Sequence, residues 1–229
     1  MNGRRSATPA TTLLIYAILL GFAIEILTGA WLDGEKLARL GAIVPPLIDQ
    51  GQYWRLVTAM FLHGDGTKAG DFLHLGLNLV ALFQLGSLYE VMFGTRRFVL
   101  IYFVSGIAAS LTSYIHNIGA SVGASGAIFG ILGAFIFSIL RSPRWRQERV
   151  ARSIVRQLVF LMFANILIGA MIPKIDLAAH LGGLLTGLLL GAILPQRTPP
   201  PPPPAQAVVD VTPYGGESTA GPAARRDDR

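Results

Sequence analysis

The chain has 229 residues, 52% hydrophobic and only 14% charged, a balance that excludes an ordinary water-soluble domain and makes the bilayer its solvent. It contains no cysteine, which excludes disulfides, thiolate nucleophiles and cysteine metal sites. A net charge of +6 would suggest nucleic acid for a soluble protein, but here the basic residues fall between apolar stretches and report on orientation instead.

Six segments have the ~20 apolar residues needed to cross ~30 Å of hydrocarbon. They lie near 12 to 30, 72 to 92, 97 to 116, 122 to 140, 153 to 172 and 177 to 194. The first follows Arg4 and Arg5 and can be read as a signal peptide. Its length and weak small-residue cleavage pattern favour a retained span. The stretch from Trp31 to Gly70 is too polar to cross, yet it carries Trp31, Leu47, Ile48, Tyr53 and Trp54, a mix that settles at a bilayer interface. At Pro195 the character changes: Pro199 to Pro204 is an unbroken proline run followed by Ala, Gly and mixed charge, which cannot bury a core. The expected organisation is an N-terminal cytoplasmic segment 1–11, a six-span domain 12–194 and a disordered tail 195–229. The tail is either a partner-binding polyproline segment or a solvated extension. No glycine-rich phosphate loop, metal-ligand cluster or soluble-type repeat is present, so no nucleotide, metal, other cofactor or nucleic acid is expected.

Orientation follows from Lys and Arg in the short loops. Fourteen of the 19 fall at the N-terminus, between spans two and three, between spans four and five, and after span six. The remaining five, Lys36, Arg39, Arg55, Lys68 and Lys174, fall on the other side. Both termini are therefore expected in the cytoplasm, and spans two, four and six run inward. His74 and Asn78 begin span two, Ser125 begins span four and His180 begins span six. These polar residues share the outer depth, where helix starts can converge on one water-reached pocket.

Each has a plain reading and a chemical one. Gly126, Gly130 and Ala134 make a small-residue stripe after Ser125, and Gly183, Gly187 and Gly191 share a face with His180; both patterns serve close helix packing. The same glycines would let a serine oxygen meet an imidazole nitrogen, the minimum parts of a base-activated nucleophile. His74 and Asn78, at i and i+4, either bond between helices or supply donors for an oxyanion, with the Ser125 backbone N–H near a helix N-terminus as a third. Of the intramembrane carboxylates, Glu25 is in span one. Glu90, at the inner end of span two, is expected to pair with Arg96 or Arg97.

Taken in order, these motifs resemble those of the rhomboid intramembrane serine proteases over roughly Gln52 to Leu194. The resemblance rests on Tyr53-Trp54-Arg55, Phe61-Leu62-His63, His74-Leu75-Gly76-Leu77-Asn78, Gly123-Ala124-Ser125-Gly126 and Ala179-His180 with Gly183, together with Gly94 and Arg97-Phe98. It implies an all-α six-span bundle with a long interfacial first external loop, in a bacterial inner membrane. Ser125 would be the nucleophile and His180 the base, with no aspartate required; His74, Asn78 and the Ser125 amide would hold the oxyanion, and Phe129 would pack on the base. Gly123, Gly126 and Gly183 would support them. The implied substrates are transmembrane proteins, cleaved at peptide bonds in or near the bilayer. The polar stretch Gly64 to Gly70 is longer than in the family and is expected to lengthen the loop, which leaves His63 a supporting role; His116 is read as interfacial. Two other classes remain: a non-catalytic rhomboid-like chaperone or adaptor, which is expected to lack the serine or the histidine, and a small transporter, for which no inverted repeat is visible.

Overall fold

The computed structural model describes residues 8–64, 68–116, 119–143, 149, 153, 155–160 and 175–195. The expected fifth span and the tail beyond Pro195 lie largely outside these residues. Among the described residues the regular structure is helical, apart from one antiparallel bridge between Ile43 and Ser121.

Helix α1 (Pro9–Thr28) opens on proline, whose missing N–H costs nothing in a first turn, and ends at Gly29 with φ 73°. Its N-terminal donors are met from afar. The Glu90 carboxylate accepts from the N–H groups of Ala10 at 3.1 Å and Thr11 at 2.9 Å, from the Thr11 hydroxyl at 2.7 Å and from the Thr95 hydroxyl at 2.8 Å. The expected pairing of Glu90 with Arg96 or Arg97 is therefore corrected. A helix N-terminus offers fixed donors at the positive end of its dipole, and these satisfy a buried carboxylate without ordering a long arginine.

The polar stretch after α1 holds three short helices, α2 (Gly34–Leu40), α3 (Pro45–Asp49) and α4 (Arg55–Thr58). Arg55, almost fully buried, ties them together: its guanidinium donates to the carbonyls of Ala38 and Ala42 and to the Gln52 side chain, while stacking on Trp54 at 4.6 Å. Helix α5 (Lys68–Ala81) then runs through a π turn at Leu82–Gly86 into α6 (Ser87–Phe93). Because α5 starts at Lys68, part of the expected loop extension is helix instead.

Helix α7 (Thr95–His116) follows Gly94, and α8 (Ser125–Arg141) and α9 (Leu177–Ile193) complete the described elements. Pro9–Thr28, Phe72–Phe93 and Thr95–His116 are long and apolar enough to cross a membrane. Helices α8 and α9, of 17 residues each, are shorter. The expected start of span four at 122 is corrected to Ser125, because the bridge between Ile43 and Ser121 and the φ of 128° at Gly123 hold the preceding residues out of the helix.

Helices α8 and α9 touch backbone to backbone. A Cβ on Gly183 would lie 2.0 Å from the Gly126 carbonyl oxygen, one on Gly187 1.9 Å from that of Gly130, and one on Gly191 2.9 Å from that of Ala134. The constant offset between partners means that the two helices run parallel and in register. Across α7, Cβ atoms on Gly126 and Gly130 would meet Ala109 and Ser105 at 2.3 and 2.0 Å. Beyond His180, Arg141 donates to the Ala192 carbonyl and Arg97 to that of Pro195, capping the chain as α9 ends. Large apolar side chains such as Leu13, Phe83 and Leu185 are exposed, as lipid requires of an outer face.

Gly187→Ala is expected to lower stability by about 1–3 kcal/mol, since the added methyl meets rigid backbone. Gly76→Ala, with open space around it, is expected to stay neutral or gain up to about 1 kcal/mol from helix propensity. Reversible unfolding of both variants in mixed micelles checks the contrast.

Candidate active site

The site forms where α8 and α9 begin. Ahead of α8 the chain is held by two long-range bonds: Gly123 donates its N–H to the Ala59 carbonyl at 2.9 Å, and Ala124 donates to Nε2 of His63 at 3.4 Å. Ser125 is the first helical residue, so its amide is among the unpaired donors of the helix N-terminus. Ahead of α9, Asp176 caps the helix, its side chain accepting from the Ala179 N–H at 2.8 Å. His180 follows one turn later on the face of Asp176.

The parallel packing of α8 on α9 then brings the two starts together, with Nε2 of His180 2.7 Å from Oγ of Ser125. With the ring proton on Nδ1, Nε2 accepts the serine hydroxyl, the arrangement required of a general base. Phe129, one turn into α8, stacks on the imidazole with centroids 4.5 Å apart and planes 10° from parallel. It walls one ring face from lipid and fixes its angle. His180 is 9% exposed and Ser125 half-buried, so the hydroxyl is the accessible member.

His74 approaches from α5. A Cβ on Gly123 would lie 2.9 Å from His74 Nε2 and 3.8 Å from Ser125 Oγ, so these two atoms flank one point. Only a residue without a side chain leaves that point empty. His74 Nδ1 faces the His63 carbonyl at 3.3 Å, and the two rings lie 5.1 Å apart. Asn78, buried one turn below, donates from Nδ2 to the His74 carbonyl at 2.9 Å, which leaves its second amide hydrogen unused in that bond. Gly126 and Gly183 lie beneath the Ser125–His180 pair as the contact that lets α8 and α9 approach.

The structure therefore brings Ser125, His180, Phe129, Gly123 and His74 to one place, with Asn78 next to His74. His63 is more central than a supporting residue needs to be: it is fully buried, bonds to the residue before Ser125 and presents its carbonyl to His74. Burial, with a smaller push from the His74 charge, moves its imidazole down to about 3 despite the opposing Phe61 carbonyl, so it stays neutral and Nε2 can accept. Asp176 joins them, and its sequence signal is its type and place: four before His180, it is a standard N-cap residue. Among the described residues no group of three or more His, Cys, Asp or Glu is placed to hold a metal ion. The arrangement sets a serine hydroxyl against an imidazole nitrogen, with a second histidine beside it and the first amide of α8 next to them.

A family model described as the Rhomboid domain matches residues 50–197. Rhomboid protease GluP of Bacillus subtilis (strain 168) is 35% identical over 83% of this chain and 36% of its own length. RHOMBOID-like protein 5 of Arabidopsis thaliana is 35% identical over 69% of this chain and 49% of its own. YdcA of Bacillus subtilis (strain 168) is 34% identical over 66% of this chain and 71% of its own. The chain thus spans about a third of the length of GluP and about half of RHOMBOID-like protein 5.

Alanine at Gly123 and at Gly119 separates backbone strain from the His74 contact. Both glycines have positive φ, 128° and 96°, but only Gly123 faces a side chain. Gly119→Ala is expected to cost about 1 kcal/mol and Gly123→Ala about 3 kcal/mol, read from unfolding midpoints in detergent.

Proposed function

The chain belongs to the rhomboid family, and from that membership we propose that it is an intramembrane serine endopeptidase cleaving transmembrane proteins. The observation that carries the proposal is the 2.7 Å contact between Ser125 Oγ and His180 Nε2 beneath the Phe129 stack. In this reading Ser125 Oγ attacks the scissile carbonyl carbon as His180 Nε2 takes its proton. The carbonyl oxygen becomes an oxyanion held by His74, Asn78 and the Ser125 amide. When the tetrahedral species collapses, the C–N bond breaks and His180 protonates the leaving amine, leaving an acyl-Ser125 ester. Water, deprotonated by His180, then hydrolyses the ester and restores the serine.

The domain proposed to do this is 12–194, a six-span bundle with both termini cytoplasmic, in a bacterial inner membrane. The segment 31–70 would lie in the outer leaflet and the site would open outward. The tail 195–229 would extend into the cytoplasm. A peptide bond inside a transmembrane helix is hydrogen-bonded and shielded, so substrates with helix-breaking Gly or Pro near the cut should be preferred.

Cleavage of a transmembrane reporter by purified, reconstituted protein tests the reading. Ser125→Ala and His180→Ala are each expected to lower turnover by a factor on the order of a million, and His74→Ala and Asn78→Ala each by roughly 100- to 1,000-fold. Fluorophosphonate labelling should fall on Ser125 and depend on His180. Cleavage at the parental rate by either dyad variant would sink the proposal.

A further inference from the structure

Glu25 is a carboxylate within the apolar run of α1, and it is fully buried. Such a group persists only where fixed donors replace water. Here the donors are two successive backbone amides from the turn below α5: His63 N–H reaches Oε1 at 2.8 Å and Gly64 N–H reaches Oε2 at 2.6 Å. The approach is prepared on both sides. Gly21, one turn before Glu25 on the same face, lets α1 close on the Phe61 carbonyl, which a Cβ there would meet at 2.4 Å. Gly64 has no room for a side chain either, since a Cβ would lie 2.8 Å from Glu25 Oε2 and 3.0 Å from the Trp31 backbone.

The Gly64 N–H and the His63 carbonyl belong to one peptide group. One end of that group donates to the Glu25 carboxylate, and the other faces His74 Nδ1 at 3.3 Å. A carbonyl only accepts, so Nδ1 carries a hydrogen in this bond. A carboxyl oxygen accepting on the N–H side polarises the peptide and makes its oxygen a stronger acceptor, because hydrogen bonds in series reinforce one another at low dielectric. With Nδ1 fixed in this way, Nε2 is left on the Gly123 side, flanking the point that Ser125 Oγ also flanks.

We propose that Glu25 is a positioning residue for His74, acting through the His63–Gly64 peptide so that Nε2, which donates to the oxyanion when the ring is an imidazolium with a hydrogen on both nitrogens, is aimed at it. This role rests on the protease reading above. A carboxylate is suited to it because two N–H donors need two acceptor oxygens; glutamine would turn an NH₂ toward one of them. The same turn places His63 Nε2 on the Ala124 amide, so the clamp also holds the residue before the nucleophile.

The test uses the full chain in liposomes, with active sites counted by end-point fluorophosphonate labelling and kcat and KM measured per labelled site on the transmembrane reporter. Glu25→Gln is expected to lower kcat about 100-fold with little change in KM, the size of effect a misaimed donor produces. If Glu25 works through His74, adding Glu25→Gln to His74→Ala should cost less than about threefold more, since residues in one network are non-additive. Should Glu25→Gln fail to fold, Gly64→Ala, which pushes the carboxylate off its amide, carries the same test with the same expected sense. Parental kcat per site in the tested variant, or losses that multiply fully with His74→Ala, would overturn the role of Glu25. Parental cleavage by Ser125→Ala would overturn the protease reading and this inference with it, whereas an inactive Ser125→Ala beside a fully active Glu25→Gln overturns this inference alone.

Discussion

Everything at the site depends on how closely α8 and α9 approach. Three successive turns of α9 put glycine against backbone carbonyls of α8, at Gly183, Gly187 and Gly191, and no side chain larger than hydrogen fits there. Lipid supplies no hydrophobic force to press helices together, so contact of this kind is what fixes their spacing and register. Once the register is set, the first turns of the two helices coincide, and Ser125 meets His180 without either leaving its helix. The serine is presented by a helix start, the histidine one turn past an aspartate cap, and Phe129 closes the ring face from the same helix as the serine.

The two carboxylates buried among the spans follow one rule. Glu90 accepts the opening amides of α1, and Glu25 accepts the amides of His63 and Gly64. Each joins segments far apart in sequence by satisfying backbone donors that water cannot reach, which turns the burial cost of a charge into a specific connection. Neither of these two carboxylates bonds to His180, whose ring meets Ser125 and Phe129 one turn past the Asp176 cap. The first loop obeys the same logic with the sign reversed. Buried Arg55 collects the carbonyls of Ala38 and Ala42 and the Gln52 side chain, holding the short helices that support His63.

Much was legible in the sequence because the bilayer is a strict solvent. Apolar length marks the segments that α1, α5 with α6, α7, α8 and α9 occupy, with ends moved by a few residues. Polar residues in apolar runs stand out against that background, which is why Ser125, His180, His74 and Asn78 were visible as a set. The glycine spacing after Ser125 and His180 also foretold a close interface, though not which glycine would oppose which carbonyl. The misread parts involve partners chosen in space. Glu90 has arginines near it in sequence, but Ala10 and Thr11, distant in sequence, meet it in the fold. Likewise, a periodic apolar pattern from 122 gave no sign that Ile43 would bridge Ser121 and delay the helix to Ser125.

The sequence by itself determined the solvent, the helices and the chemical types available, since these follow from local composition, period and charge. It also set Ser125 and His180 at the beginnings of apolar segments, where α8 and α9 start. Only the tertiary structure decided that His63 sits between Glu25, Ala124 and His74, and that Gly123 leaves open the point between His74 Nε2 and Ser125 Oγ. Those relations depend on hydrogen bonds between segments tens of residues apart. No local pattern encodes such a distance; the packing of one backbone against another sets it.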